Sequence, residues 1–225
     1  MWNATSPYYN RAAEWKKQVS ICTKDAAYLA GAIKDYERQQ RGPTTMQDEP
    51  WQVDDSPFQR WGYLADAHYW NVHEIVWRLV ENVSRNGNLL LNFAPEADGT
   101  IPEEQVGLML GIGRWLDVNG EAIYGTRPWV KFGEGESINN KPPYTPKDIR
   151  FTRKGDVLYA ILMAWPEDQA VVASLGAAGK ASRVEMLGAA GTLKFTQDGS
   201  GLAVTLPSAR PCDYAYVLKI SGLKL

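Results

Sequence analysis

Residues Asn82 to Trp129, NVSRNGNLLLNFAPEADGTIPEEQVGLMLGIGRWLDVNGEAIYGTRPW, carry three structural signals in a row. Ser84-Arg85-Asn86-Gly87 has turn chemistry, because glycine takes positive φ at little cost, and it leads into the apolar run Leu89 to Phe93, a length that suits a buried strand. Pro95 to Gly99 is loop-like. Pro102 suits the first turn of a helix, and Glu103 and Glu104 sit where carboxylates favour the positive end of the helix dipole, so a helix starts near Ile101. Val106, Leu108, Met109, Leu110, Ile112, Trp115 and Leu116 recur at helical spacing until Asn119-Gly120 supplies a stop. Strand, loop and helix in that order make one unit of a parallel α/β sheet.

Upstream, Tyr8, Tyr9, Ala12, Ala13 and Trp15 share one helical face, followed by the strand-like Val19 to Cys22 and the polar Thr23-Lys24-Asp25. A second short strand, Gly31 to Ile33, delivers Asp35 to Arg38 into a loop. Gln39 to Trp70 reads as a long loop with three prolines, of the kind that covers a site or docks on a neighbour. Val72 to Val83 is an amphipathic helix with Ile75, Val76, Leu79, Val80 and Val83 inward. After Trp129 the period changes. Seven strand candidates follow: Ile149–Thr152, Val157–Leu162, Ala170–Val172, Arg183–Leu187, Thr192–Phe195, Leu202–Leu206 and Tyr214–Ile220. Their spacing predicts an antiparallel β-sandwich. The expected fold is therefore α/β plus all-β, with domains at 1–130 and 131–225.

Composition removes several function classes. A net charge of −2 without a basic cluster argues against a nucleic-acid partner. No apolar run approaches the ~18 residues of a membrane span and no basic-then-apolar leader is present, which points away from a membrane partner and leaves the compartment open, cytoplasmic by default. Cys22 and Cys212 read as free thiols. His68 and His73 are five apart rather than the four of a helical zinc pair, and Gly107 to Gly113 lies inside a helix rather than after a strand, so neither a metal nor a nucleotide loop is expected. Nine Trp and eleven Tyr suit core packing, and aromatic faces also suit the apolar faces of sugar rings.

The run NGNLLLN, then DGTIPEEQ, then IGRWLDVNGEAIYGTRPW resembles the closing part of the catalytic barrel in the α-L-fucosidases of glycoside hydrolase family 29. The resemblance continues upstream in YYNRAAEW (Tyr8 to Trp15), DYERQQ (Asp35 to Gln40), PWQ (Pro50 to Gln52) and WGY (Trp61 to Tyr63), and downstream in FGEGE (Phe132 to Glu136). It implies a truncated (partial) β/α barrel followed by a C-terminal β-sandwich. It also implies retaining hydrolysis of terminal α-L-fucosyl linkages in a fucosylated oligosaccharide or glycoside, with transfer to sugar acceptors as a variant and no cofactor.

The resemblance assigns site residues one at a time. Glu37 matches the position expected for the acid/base carboxylate, with Asp35 in reserve. Lys24 matches a basic residue that contacts the sugar or a catalytic carboxylate, and Trp61 an aromatic lining the fucose pocket. Trp51 is a further aromatic candidate. Ordinary ion pairing of Glu37 with Arg38 or Lys24, and packing for the tryptophans, are the bland alternatives. The nucleophile of the family falls before Met1, and Asp25, Asp35, Asp54 and Asp55 are the local substitutes, none with a motif. Half a barrel leaves an open face and a sheet edge, so a homo-oligomer is expected, with Gln39–Trp70 or Met1–Tyr9 reaching the neighbour and well over ~1,000 Å² buried. The alternative is a catalytically inactive carbohydrate-binding or structural module.

Overall fold

The computed structural model describes residues 2–25, 32–38, 42–137, 142–177 and 179–225. The chain opens with helix α1 (Trp2–Glu14) and then builds a sheet from β1 (Cys22–Thr23), β2 (Ile33–Glu37), β3 (Trp51–Asp55) and β4 (Gly87–Leu91). All three pairings are parallel, and the strand order follows the chain. Helix α2 (Val72–Ser84) crosses from β3 to β4 and packs on β4, while α3 (Glu103–Asn119) follows β4 and lies against α2. Sequential parallel strands joined by a covering helix are the wall of a β/α barrel, here four strands of it.

The two faces of this sheet differ sharply. Residues on one rung of a parallel pair point the same way, so the registers Asp35↔Gln52↔Asn88 and Glu37↔Asp54↔Leu90 define one face. Tyr36, Trp51, Val53 and Asp55 occupy the other, toward α2. The first face is polar and open, with Cys22 and Asn88 exposed and Leu90 54% exposed. It corresponds to a barrel interior.

Several elements differ from the sequence reading. The stretch Gln39–Trp70 contains the central strand β3 rather than loop alone; its Trp-Gln-Val-Asp-Asp sequence has only Trp51 and Val53 as apolar residues, because the alternate positions face the barrel interior. For the same reason Asp35 and Glu37 lie on β2 itself, not in the loop after it. The strand expected at Val19–Cys22 narrows to Cys22–Thr23, with Ile33 N donating to Ile21 O just before it. Part of the expected strand Gly31–Ile33 lies outside the described residues. Gly87 is the first residue of β4, and only glycine fits, since a Cβ there would come within 2.3 Å of the Trp51 ring.

Capping explains the helix ends. Asn71 Oδ1 accepts from Glu74 N and Glu74 Oε2 accepts from Asn71 N, a reciprocal capping box at the start of α2. Pro102 precedes α3, which runs into a 3-10 turn at Gly120–Ala122.

The C-terminal part is a two-sheet sandwich. One sheet orders β5 (Gly133–Glu134), β6 (Ile149–Lys154), β7 (Val157–Leu162), β12 (Tyr216–Ser221) and β9 (Arg183–Met186) as β5-β6-β7-β12-β9, and the other orders β10 (Phe195–Asp198), β11 (Gly201–Thr205) and β8 (Gln169–Val172). Six of the seven expected strands are present within a few residues. The seventh, Thr192–Phe195, begins instead at Phe195, and Thr192 makes only an isolated bridge to Glu185. Phe151, Leu158, Leu162, Val172, Leu202 and Leu218 fill the space between the sheets.

The outer face of the five-stranded sheet packs on the helices. Val76 and Val80 of α2 and Trp115 of α3 meet Tyr159, Ile161 and Val217. Trp115 Nε1 donates to Ala215 O at 2.9 Å and Trp77 Nε1 to Met163 O at 2.9 Å. A buried ion cluster crosses the same seam. Glu81 of α2 meets Arg85 at 2.7 Å and Arg150 of β6 at 2.6 Å, all three almost wholly enclosed.

Candidate active site

The carboxyl ends of β1, β2 and β3 bring Lys24, Glu37 and Asp54 together on the open face. Lys24 follows β1 directly, Glu37 ends β2, and Asp54 is its rung partner on β3. The Lys24 ammonium bonds Glu37 Oε2 and also lies 2.6 Å from Asp54 Oδ2. Two oxygens bonded to one nitrogen are no more than about 6 Å apart. Both carboxylates hold the lysine charged and raise its pKa above the ordinary range, Asp54 more than Glu37. The backbone is tied in as well, since Lys34 Nζ donates to Lys24 O.

Asp35 lies one step down the same face. Gln52 Nε2 donates to its Oδ1 at 3.3 Å, and the residue as a whole is 9% exposed. Burial pushes its pKa up, assisted by the negative charges of Asp54 and Glu37 and opposed by Gln52 and Lys24. A carboxylate already bonded and enclosed has less access to a substrate than Glu37, whose side chain is 34% exposed.

Arg38 turns away from this group, because alternate residues of β2 point to opposite sides. Its guanidinium donates to Phe58 O at 2.7 Å and lies 3.9 Å from Asp55 Oδ1. Asp55 is buried beneath α2, where Arg78 approaches at 3.2 Å and Ser56 N donates at 2.9 Å. Burial still leaves its pKa raised. Arg38 also covers the Trp61 ring, 5.5 Å from its centroid, and Asn92 Nδ2 donates to Trp61 O at 2.9 Å. Trp61 thus stands beside the end of β2 with 41% of its surface exposed.

Trp51 is placed differently from what the sequence suggests. It lies on the opposite face, 2% exposed, with Nε1 donating to Arg85 O at 2.9 Å and its ring edge-on to Tyr36 at 5.7 Å. A ring so enclosed offers no face to a sugar. Asp54, by contrast, is brought into the cluster without any motif to announce it. The available signal is alternation: in Trp-Gln-Val-Asp-Asp, position 54 shares a face with Gln52 and faces the barrel interior. Among the described residues no group of His, Cys, Asp and Glu is arranged to hold a metal ion, and no helix is long and apolar enough to cross a membrane.

This geometry can be set beside known proteins. Residues 1–121 match the family model described as Alpha-L-fucosidase, and residues 143–221 match the model for the Alpha-L-fucosidase C-terminal domain. The chain belongs to the alpha-L-fucosidase family. Its relatives include the tissue alpha-L-fucosidases of Bos taurus, 36% identical over 81% of this chain, and Homo sapiens, 34% identical over 81%. In each case the match covers 39% of the relative. A solved alpha-L-fucosidase superposes on 97% of the chain with a TM-score of 0.81 and 28% identity. The Thermotoga maritima alpha-fucosidase in complex with fucose superposes on 95% with a TM-score of 0.76 and 28% identity. The chain spans 48% and 46% of those two structures, less than half the length of these fucosidases.

Proposed function

We propose that this chain supplies one half of the active site of a retaining α-L-fucosidase, with Glu37 as the acid/base carboxylate. The observation that carries the proposal is the position of Glu37: at the carboxyl end of a barrel strand, on the open inner face, beside a second carboxylate on a shared lysine. Active sites of β/α barrels are built at that end of the strands. In a retaining mechanism Glu37 gives its proton to the glycosidic oxygen while a nucleophilic carboxylate attacks the anomeric carbon. It then removes a proton from the water that hydrolyses the glycosyl-enzyme. Two carboxylates suffice for this chemistry, so no cofactor is called for. Trp61 offers an aromatic wall and Lys24 a cation beside the pocket.

A second copy of the chain is the partner we propose for the open face, completing the site; within the chain, Asp25, Asp35, Asp54 and Asp55 are the carboxylates that could serve as nucleophile beside Glu37. Terminal α-L-fucosyl groups of oligosaccharides or simple glycosides are the substrates, in keeping with the fucose complex of the Thermotoga maritima relative.

Hydrolysis of an α-L-fucoside by the purified protein, sedimented in parallel at micromolar concentration, tests the proposal. Glu37→Gln is expected to lower turnover of a natural fucoside by roughly 10²-fold or more, with a smaller loss on a substrate whose leaving group needs no proton, and partial rescue by azide. Unchanged turnover moves the role to Asp35. An assembled protein that binds fucose without hydrolysing it is a binding module instead.

A further inference from the structure

The Lys24 ammonium touches two carboxylates, and their surroundings are unequal. Asp54 is the more enclosed, with its side chain 16% exposed against 34% for Glu37. Its Oδ2 is bonded to Lys24, and its Oδ1 is buried with no hydrogen bond from any described residue. A half-buried carboxylate whose strong partner among the described residues is one ammonium releases it only by leaving a poorly compensated charge in a poorly solvated place. Glu37 can release it, because water replaces the lost contact at an exposed carboxylate. Among the described residues nearby, Asp35 is bonded to Gln52, Lys34 to the Lys24 carbonyl, and Arg38 and Arg78 approach Asp55 on the far face.

We infer that Asp54 is a positioning residue that anchors Lys24 on the inner face of the sheet, so that Lys24 meets Glu37 as an exchangeable partner rather than in a closed ion pair. An acid/base group must alternate between its protonated and ionised forms, and a lysine committed wholly to it would oppose the protonated one. Asp54 restrains the lysine and leaves Glu37 free to cycle. This rests on the reading of Glu37 given above, but the anchoring itself can be measured without any activity.

The test uses proton-detected 15N spectra of the Lys24 ammonium in the full chain, where a firmly held ammonium exchanges its protons slowly enough to be seen. The Lys24 signal is expected in the parent protein and in Glu37→Gln, and is expected to vanish in Asp54→Asn. Loss of the signal in Glu37→Gln, or its survival in Asp54→Asn, overturns the anchoring role. The kinetic arm uses two α-L-fucosides. Asp54→Asn is expected to slow the one with a poor leaving group at least tenfold and the one with a very good leaving group less than about twofold. Asp54→Glu should recover part of the loss. Equal losses on both substrates, accompanied by a lowered melting temperature, identify a structural residue and reject the proposal. A parent protein without fucosidase activity defeats the reading of Glu37 alone, and the spectra still decide the anchor.

Discussion

The inner face of the four-stranded parallel sheet and the interior of the sandwich are built from opposite materials. Between the sandwich sheets, Phe151, Leu158, Leu162, Leu202 and Leu218 are all wholly buried. On the inner face of the parallel sheet the side chains include Asp35, Glu37, Gln52, Asp54 and Asn88, and of its large apolar residues Ile33 is half-buried and Leu90 more than half exposed. The sandwich completes its core within the chain. The parallel sheet packs its outer face under α2 and leaves its inner face open among the described residues. Apolar packing is thus concentrated in one region and exposed polar groups in the other.

Substitutions can break this contrast at graded strengths. The largest loss is expected at the seam, where Glu81→Ala strips both Arg85 and Arg150 of their buried partner. Breaking such a cluster costs roughly 3–5 kcal/mol, read as a fall in the denaturation midpoint. Within the sandwich, Leu158→Ala should cost about 2–5 kcal/mol, whereas Leu90→Ala on the open face should cost little in an isolated chain, because it vacates water rather than a packed site. If the open face is covered by a second copy, Leu90→Lys should weaken association in sedimentation without lowering the melting temperature of the dissociated chain. A Leu90→Ala loss equal to that of Leu158→Ala would show that the face is already buried.

The smallest effect concerns pH. His73 stacks on Trp77 with ring centroids 3.8 Å apart and lies 5.6 Å from Tyr214, at the contact between α2 and the segment leading into β12. Burial lowers its pKa, against the opposing influence of a backbone bond with Tyr214 and the charge of Glu74. The unfolded chain titrates near the ordinary value of about 6.5. Between that value and the lower folded one, the unfolded state binds the extra proton, so stability falls as pH drops through this window and levels off below it. His73→Phe should flatten that slope, read as a smaller fall in melting temperature between pH 7 and pH 5 than the parent shows.

The sandwich was legible because its strands obey one rule: apolar residues alternate or run together between glycine-, aspartate- and proline-bearing turns. The helices were legible from their apolar spacing. Strand β3 was hidden because its alternate positions face the open inner side of the sheet rather than a core, which replaces the apolar signal with Gln52 and Asp54. The same substitution conceals Asp54 as a partner of Glu37, since only strand register puts the two side by side. Trp51 misled in the other direction. As a residue type it suits a sugar, but its position on the α2 side of β3 commits it to packing.

The strand order also limits how the sheet can be closed. Because all four strands run the same way and follow the chain, the edges β1 and β4, unpaired among the described residues, are different surfaces, and in a sheet closed by two copies β4 of one would meet the β1 edge of the other. A face-to-face pairing that matches like edges would set strands antiparallel. Two identical units satisfy both edges at once only when a half-turn about the axis enclosed by the strands relates them. Such a ring has eight strands, and it places two copies of the Lys24 cluster at the same end of one cavity.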